Sequence, residues 1–204
     1  MQSNKVDGEE TGFTITLNSK KFSGTGATST TASTDWMIAE AINVPKASFG
    51  ADVDEVFKHT MSKLIVILKS EDVADGTKVE VTNVSINNVY GSGSYDGSEW
   101  TRSGEAKSIK GLGGELKSTS GYYSMEYLLI PSETAPTFSI TYTVNGDTYT
   151  VTDAEISNIT KFEANTCYTL TATIGLSPIK FTAEASEFQS PHNPENPDGT
   201  VTIQ

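Results

Sequence analysis

Two consecutive segments near the end of the chain, residues 167–174 and 179–186, alternate apolar and polar side chains at every second position. The apolar positions are Tyr168, Leu170, Ala172 and Ile174 in the first segment and Ile179, Phe181, Ala183 and Ala185 in the second. Threonine takes half of the opposing positions. A period of two belongs to β-strands that place one face on a core and the other in solvent. The pattern therefore predicts sheets whose outer faces are polar.

The composition extends this prediction to the whole chain. Its 204 residues include 28 Thr and 23 Ser, and 36% of them are hydrophobic, which is enough to build a core. Threonine is β-branched and favours the half-exposed surface of a sheet. The length suits one all-β domain or two small ones.

The charge balance excludes two classes of partner. Asp and Glu number 26 against 14 Lys and Arg, which gives a net charge of −12. Nucleic acid and anionic membrane surfaces would be repelled by most of such a surface. The single arginine, Arg102, also argues against clustered phosphate recognition. No stretch approaches the roughly 20 apolar residues of a spanning helix, so no membrane span is predicted.

Further strand patterns recur along the chain with turn residues between them. The apolar run from Leu64 to Leu68 predicts a strand that is covered on both faces. A switch of parity between Val81 and Val84 predicts a β-bulge, and Asn145-Gly146 predicts a tight hairpin turn. About seven such strands, without a long helical pattern between them, predict an all-β fold built as an antiparallel β-sandwich.

Three parts are distinguished along the chain. They are residues 1–56, an N-terminal segment that packs on the main domain; residues 57–190, the sandwich; and residues 191–204, a proline-rich tail with a short final strand.

The N-terminal segment contains one short strand pattern. Phe13, Ile15 and Leu17 alternate with threonines there. The low-complexity stretch at residues 23–34 predicts a loop. Residues 35–45 fit either a helical turn capped by Asp35 or an extended stretch, and the sequence leaves both open.

Side chains that could support catalysis are scarce. His59 precedes the apolar run and is interpreted as structural, and His192 lies in a proline-rich tail that is poorly suited to holding catalytic geometry. Cys167, the only cysteine, alternates against Tyr168 and Leu170, so it is expected on the outward face, where its replacement changes stability little. We therefore expect no enzyme activity, no metal and no cofactor.

One loop offers a binding function as an alternative. Tyr90, Tyr95 and Trp100 lie in or beside the segment GSGSYDGSEW. Aromatic rings on a polar loop can stack on sugars, so a secreted carbohydrate-binding module that uses Tyr95 and Trp100 is the rival hypothesis. The structural interpretation, in which Trp100 and Tyr90 cover the open end of the core, is favoured.

The order of the strand segments resembles that of a known family. The segments are FKHTMSKLIVILKS, VEVTNVSINNVYGSGSYDGSEW, YLLIPSE, FSITYTVNGDTY and FEANTCYTLTATIGLSPIKFTAEASEF, within residues 57–188. Together they resemble the Bacteroidetes fimbrillins, the lipoprotein-type pilins and tip proteins of surface fimbriae. The resemblance implies a transthyretin-like sandwich, export to the cell surface through a lipid-anchored precursor, and assembly by strand exchange. Expected partners are other fimbrial subunits or further copies of the chain, with a host or bacterial glycan or protein as an adhesion ligand.

The C-terminal end carries a last strand pattern. Val201 and Ile203 alternate with threonines after a spacer that is broken by three prolines. A strand on a tether can add to a sheet edge through main-chain hydrogen bonds, in its own subunit or in the next one. Val201 and Ile203 are therefore candidate subunit contacts, together with Phe13, Ile15 and Leu17.

Overall fold

The computed structural model shows an all-β chain. It describes residues 2–6, 9–15, 22–24, 35–39, 42–46, 53–70, 76–110, 114–116, 122–156, 159–175, 179–188 and 200–203. Within these ranges the backbone forms strands and turns and no α-helix. No helix in this part of the chain is long and apolar enough to cross a membrane.

The strands follow one another in short succession. They are β1 (Gln2–Val6), β2 (Glu9–Ile15), β3 (Phe22–Gly24), β4 (Met37–Ala39), β5 (Ile42–Pro45), β6 (Val53–His59), β7 (Ser62–Ser70), β8 (Val79–Val89), β9 (Ser92–Tyr95), β10 (Trp100–Ser103), β11 (Lys107–Lys110), β12 (Gly114–Leu116), β13 (Tyr122–Leu129), β14 (Thr137–Val144), β15 (Asp147–Ala154), β16 (Thr166–Ile174), β17 (Lys180–Glu187) and β18 (Thr200–Ile203).

Two large sheets pack face to face. One has the order β11-β8-β14-β15, with β12 also paired to β8, and the other has the order β13-β7-β16-β17. The fold prediction of an all-β sandwich is confirmed, although the short edge strands β11 and β12 bring the two sheets to more than seven strands. One ladder departs from the antiparallel expectation, because β7 and β16 pair in parallel.

The core lies between these sheets and follows the sequence alternation. Phe138, Ile140, Tyr142 and Val144 point inward from β14, and the predicted apolar parity of β16 is buried in the same cluster. Such alternation is what a sheet with one face on a core requires. On β7 the inward residues are buried, but Ile65 and Ile67 are only half-buried. The prediction that this strand is covered on both faces was therefore wrong, since a continuous apolar run can also place aliphatic residues on a partly open outer face.

The predicted turn and bulge are both present. Asn145 and Gly146 have φ angles of 51° and 95°, which is the left-handed pair that a tight hairpin needs. The Asn145 Oδ1 accepts a hydrogen bond from the Lys78 backbone N–H at 2.9 Å. The register of β8 against β14 shifts between the partners of Thr141 and Tyr142, so that Thr82 is the extra residue. These features confirm local signals that the sequence carries.

Cys167 is buried, at 9% exposure, so the expectation that its position on the outward face leaves it exposed was wrong. Its parity is that of the outer face, because it pairs with Lys63 on β7 and with Ser186 on β17. Those two neighbours and Glu187 line one pocket together with Cys167. Outer parity at this end of the sheet therefore does not mean exposure.

Three small sheets involve the N-terminal part of the chain. Their orders are β1-β2-β5, β10-β9-β3 and β18-β6-β4. Between residues 35 and 45 the described backbone is extended as β4 and β5, which resolves the choice between helical turn and extended stretch. The segment GSGSYDGSEW forms most of the hairpin β9–β10. Strand β6 crosses position 57, the start that was predicted for the sandwich, and the three-part division stays a prediction.

Candidate functional site

The C-terminal strand β18 pairs antiparallel with β6 and lies at the edge of its sheet. In the register, Thr200 is opposite Val56, Val201 opposite Glu55, and Ile203 opposite Val53. Strand β6 lies between β18 and β4, so it accepts a strand on each side. We call the β18–β6 pairing the C-terminal ladder.

The register sets which positions share a face. Along β6, Phe57 and His59 are more buried than Val56 and Lys58, so the odd-numbered positions belong to the inward parity. Positions 201 and 203 pair with residues 55 and 53 of this parity. Directly opposite residues lie on the same face of a sheet. Val201 and Ile203 therefore pair with odd-numbered positions of β6.

The end of β6 is fixed to the sandwich by a buried histidine. His59 is 3% exposed, and its ring stacks on Phe188 at a centroid distance of 3.7 Å. Its Nδ1 lies 3.0 Å from Oδ1 and 2.8 Å from Oδ2 of Asp35, which precedes β4. Buried polar groups need such partners, because an unsatisfied one costs about 1–3 kcal/mol. This contact joins the N-terminal segment to the sandwich.

A turn before β16 completes the junction. The Asn165 Oδ1 accepts a hydrogen bond from the His59 N–H at 3.0 Å, and its backbone N–H donates to the Met61 carbonyl at 3.1 Å. The Asn165 carbonyl accepts from the Phe188 N–H at 3.0 Å. Its φ of 56° is one that asparagine tolerates better than most residues. We call His59, Asp35, Asn165 and Phe188 the β6 junction.

The junction also marks where the tail leaves the sandwich. Phe188 follows β17 directly, and residues 189–199 connect it to β18. Val56, where β18 starts to pair, is three residues from His59, which is about 10 Å along a strand. An extended connection from Phe188 to Thr200 reaches about 40 Å. The connection is therefore several times longer than pairing within one chain requires.

The other predicted subunit contacts lie elsewhere. Phe13 and Ile15 are on β2, where they pair with Val44 and Ile42 of β5 in a different sheet. Leu17 lies outside the described residues. The structure thus does not bring these positions into the C-terminal ladder.

Tyr95 and Trp100 face each other across the β9–β10 hairpin but do not form one flat exposed surface. Tyr95 is 5% exposed, and its ring is tilted by 58° from that of Trp100. The Trp100 Nε1 donates to the Thr60 carbonyl at 2.7 Å, which turns the indole toward the β6 end. Burial, and then the charge of Asp96, raise the pKa of Tyr95. Both side chains thus serve packing in this structure.

Most of the β6 junction was not predicted from the sequence. His59 was expected to be structural, which its burial bears out, but Asp35 was considered only as a helix cap, and Asn165 was not considered. The available signal was an asparagine directly before a strand, a residue type that favours left-handed turns. Within the described residues no group of three or more His, Cys, Asp or Glu side chains could hold a metal ion.

A family model described as fimbrillin-like matches residues 4–187. The chain belongs to the fimbrillin-like family. This fimbrillin-like chain also resembles solved structures from Bacteroides. It is 21% identical to a candidate cell adhesion protein of Bacteroides uniformis, with a TM-score of 0.60 over 85% of this chain and 68% of that one. A second candidate cell adhesion protein, from Bacteroides ovatus, is 18% identical, with a TM-score of 0.56 over 87% and 64%.

These similarities establish the fold at low sequence identity. The fimbrillin-like chain spans about two thirds of the length of both solved structures, 68% and 64%. No curated protein matches its sequence significantly.

Proposed function

We propose that this chain is a non-enzymatic structural or adhesive subunit of bacterial surface fimbriae that joins its neighbours by strand addition. Strand β18 is the donated strand, and β6 of the neighbouring subunit is the strand that accepts it. Membership of the fimbrillin-like family supports the fimbrial role. The observation that carries the assembly step is the C-terminal ladder, in which a strand on a long connection pairs at a sheet edge.

Strand β18 can pair with β6 of its own chain or with β6 of another copy through the same contacts. A strand that adds to an edge binds through main-chain hydrogen bonds, and these are the same whichever copy supplies the strand. The eleven residues 189–199 can reach well beyond their own β6. Exchange of an identical element between protomers is a low-cost route to assembly because no new interface has to be created. The same contacts therefore support a closed monomer and an open chain of subunits.

The β6 junction prepares the receiving strand. His59 ends β6 and is held by Asp35, Asn165 and Phe188. A receiving strand that is already fixed loses little conformational freedom on pairing, which favours binding. The burial of His59 weighs against acid–base chemistry there, since the ring is 3% exposed and covered by Phe188, and a general base needs access to its substrate.

Location and partners follow from the fimbrial role. The proposal places the mature protein outside the cell, at the surface or in a fimbrium, after a precursor with a lipid anchor. Its partners are other fimbrial subunits or further copies, and an adhesion ligand is a surface glycan or protein. Labelling of intact cells with an antibody against this chain tests the location. Labelling that requires lysed cells would contradict it.

The glycan-binding alternative has less support. Tyr95 is too buried to stack on a sugar, and Trp100 uses its indole N–H within the chain. A glycan array with the wild-type chain and the Trp100→Ala variant decides between the fimbrial subunit and the carbohydrate-binding module. Binding that Trp100→Ala removes would favour the carbohydrate module.

Deletion of Gly199–Gln204 tests strand addition. We expect the full chain to form concentration-dependent oligomers in light scattering and the deleted chain to remain monomeric. A matched control, Val201→Thr with Ile203→Thr, keeps the backbone and length but removes the two apolar side chains, and we expect intermediate assembly. If the deletion lowers thermal stability and leaves the solution mass unchanged, β18 pairs only within its own chain and the assembly step is wrong.

A further inference from the structure

One outward sheet surface carries two of the three large hydrophobic side chains that are exposed in the described part of the chain. Trp36 is 36% exposed and Val56 is 53% exposed. The half-buried Ile38 and the exposed Lys58 complete this surface. We call these four residues the Trp36 face.

The register of β4 and β6 sets the positions of these residues on one surface. Ile38 is directly opposite Lys58, and Ala39 is opposite Phe57. Opposite residues share a face, and residues two apart on one strand do as well. Val56 is two residues before Lys58 on β6. Trp36 directly precedes β4 and accepts from the Thr60 N–H, so it lies at the other end of the surface, about 13 Å along β6 from Val56. The inward parity holds the buried Ala39 and His59, so the Trp36 face is the outer side of the same two strands.

The backbone beneath this face is held in place. The Trp36 carbonyl accepts the Thr60 N–H at 2.8 Å and the Thr60 Oγ1 hydroxyl at 2.9 Å. The Thr60 carbonyl in turn accepts the Trp100 Nε1. A tryptophan on a fixed backbone, close to an aliphatic residue, is typical of an interface hot spot, because little backbone freedom is lost when it is covered.

The C-terminal ladder indicates what covers the face. Strand β18 begins at Thr200, which is opposite Val56. When a second copy donates β18, its connection leaves the ladder beside Val56. At most eleven residues then separate that point from Phe188 of the donor, so the donor sandwich lies within about 40 Å of the face.

We propose that the Trp36 face is a docking surface for the second copy of this chain, the copy whose β18 occupies β6. This inference rests on the proposed function. A four-residue strand alone offers a small interface, whereas stable protein–protein contacts bury about 1,200 Å² or more in total. Contact of the donor body with Trp36, Ile38 and Val56 supplies the additional apolar area. Strand addition joins the two copies, and docking on the face sets their relative orientation.

The test measures self-association of the full-length chain by sedimentation velocity. Trp36→Ala and Val56→Thr are compared with the wild type, and Val56→Thr keeps the β-branched shape that the strand needs. The matched control is Tyr149→Thr, because Tyr149 is 43% exposed on β15 of a large sheet. Each face variant is expected to weaken association about tenfold or more, as loss of a hot-spot residue does. Tyr149→Thr is expected to leave association unchanged.

A second measurement isolates strand pairing from docking. A synthetic peptide of residues 199–204 is bound to the chain that lacks Gly199–Gln204, with and without Trp36→Ala, the face substitution that lies outside the C-terminal ladder. We expect equal peptide affinity, because the peptide carries no body to dock, and this also shows that the Trp36→Ala variant folds. Association that depends on β18 but is unchanged by both face variants would overturn this inference and leave the proposed function intact. Association that does not occur, or that persists without β18, would overturn both.

Discussion

The His59 ring stacks on Phe188 at a centroid distance of 3.7 Å and an interplanar angle of 19°, and both residues are buried. His59 ends β6, and Phe188 is the last described residue before the tail. One aromatic contact therefore joins the end of β6 to the point from which the connection to β18 leaves. Stacking of this kind adds about 0.5–1.5 kcal/mol beyond the burial of the two rings.

Phe188→Ala is expected to lower the free energy of unfolding by about 3–5 kcal/mol, since it removes a buried ring and the stacking contact of that ring with His59. Phe188→Leu is the control, because it keeps apolar volume and loses only the stack, and we expect a cost of about 1–1.5 kcal/mol. Urea denaturation of both variants provides the measurement. A change below 1 kcal/mol for Phe188→Ala would show that the β6 junction does not depend on this ring.

Asp35→Ala is expected to destabilise the chain by about 1–3 kcal/mol, because the buried His59 Nδ1 then lacks its Asp35 acceptor. The exposed Glu105 provides a matched carboxylate, and Glu105→Ala is expected to stay within about 0.5 kcal/mol. Denaturant unfolding of the two variants under the same conditions makes the comparison. Equal effects of the two substitutions would contradict a structural role for the His59–Asp35 contact.

Burial raises the pKa of the Cys167 thiol, and the charge of Lys63 only partly offsets it. The thiolate fraction at a given pH is therefore lower than for a free cysteine, and the thiolate is the reactive form. We expect the rate of alkylation by iodoacetamide to rise at a higher pH than it does for free cysteine. Mass spectrometry of the native chain across this pH range, with a cysteine-containing peptide as reference, checks it. A rise in rate at the same pH as the reference peptide, or at a lower pH, would show an exposed or activated thiol.

Gly146→Ala is expected to cost about 1–2 kcal/mol, since its φ of 95° is strained for any residue with a Cβ. The space around the site is open, because no atom lies within 4 Å of the added Cβ, so the cost is conformational. Thermal unfolding measures it. A neutral effect would mean that the β14–β15 turn rearranges without loss.

Local features of the fold were predictable because they depend on neighbouring residues. The inward parity of Tyr168 and Leu170, the turn at Asn145 and the bulge beside Val81 follow from strand period and turn chemistry. The parallel pairing of β7 with β16 was not predictable in this way. It places Leu170 opposite Val66, about a hundred positions away, and the sequence around either residue carries no signal for such a partner.

The candidate site was also predictable only in its local part. The alternation at Val201 and Ile203 predicts a strand, but its partner β6 is far away in the sequence, and the local pattern does not identify it. The neighbours of Cys167 across the sheet, Lys63 and Ser186, come from two other strands that local sequence does not reveal. Period-two reasoning assigns a face, and only the neighbouring strands decide whether that face is covered.

The central claim is that β18 of one copy pairs with β6 of another. Val201 and Glu55 are opposite each other in the ladder, and opposite Cα atoms in antiparallel strands lie about 4.5–5.5 Å apart, within reach of a disulfide. We would mix a chain carrying Val201→Cys with a chain carrying Glu55→Cys under mild oxidation, with the native chain as the control for Cys167. Non-reducing electrophoresis then reads the result directly, because a 201–55 disulfide in the mixture can form only between chains. The account predicts a covalent dimer in the mixture and none in the native control. It is contradicted if the mixture yields no dimer while a single chain with both substitutions closes its own disulfide.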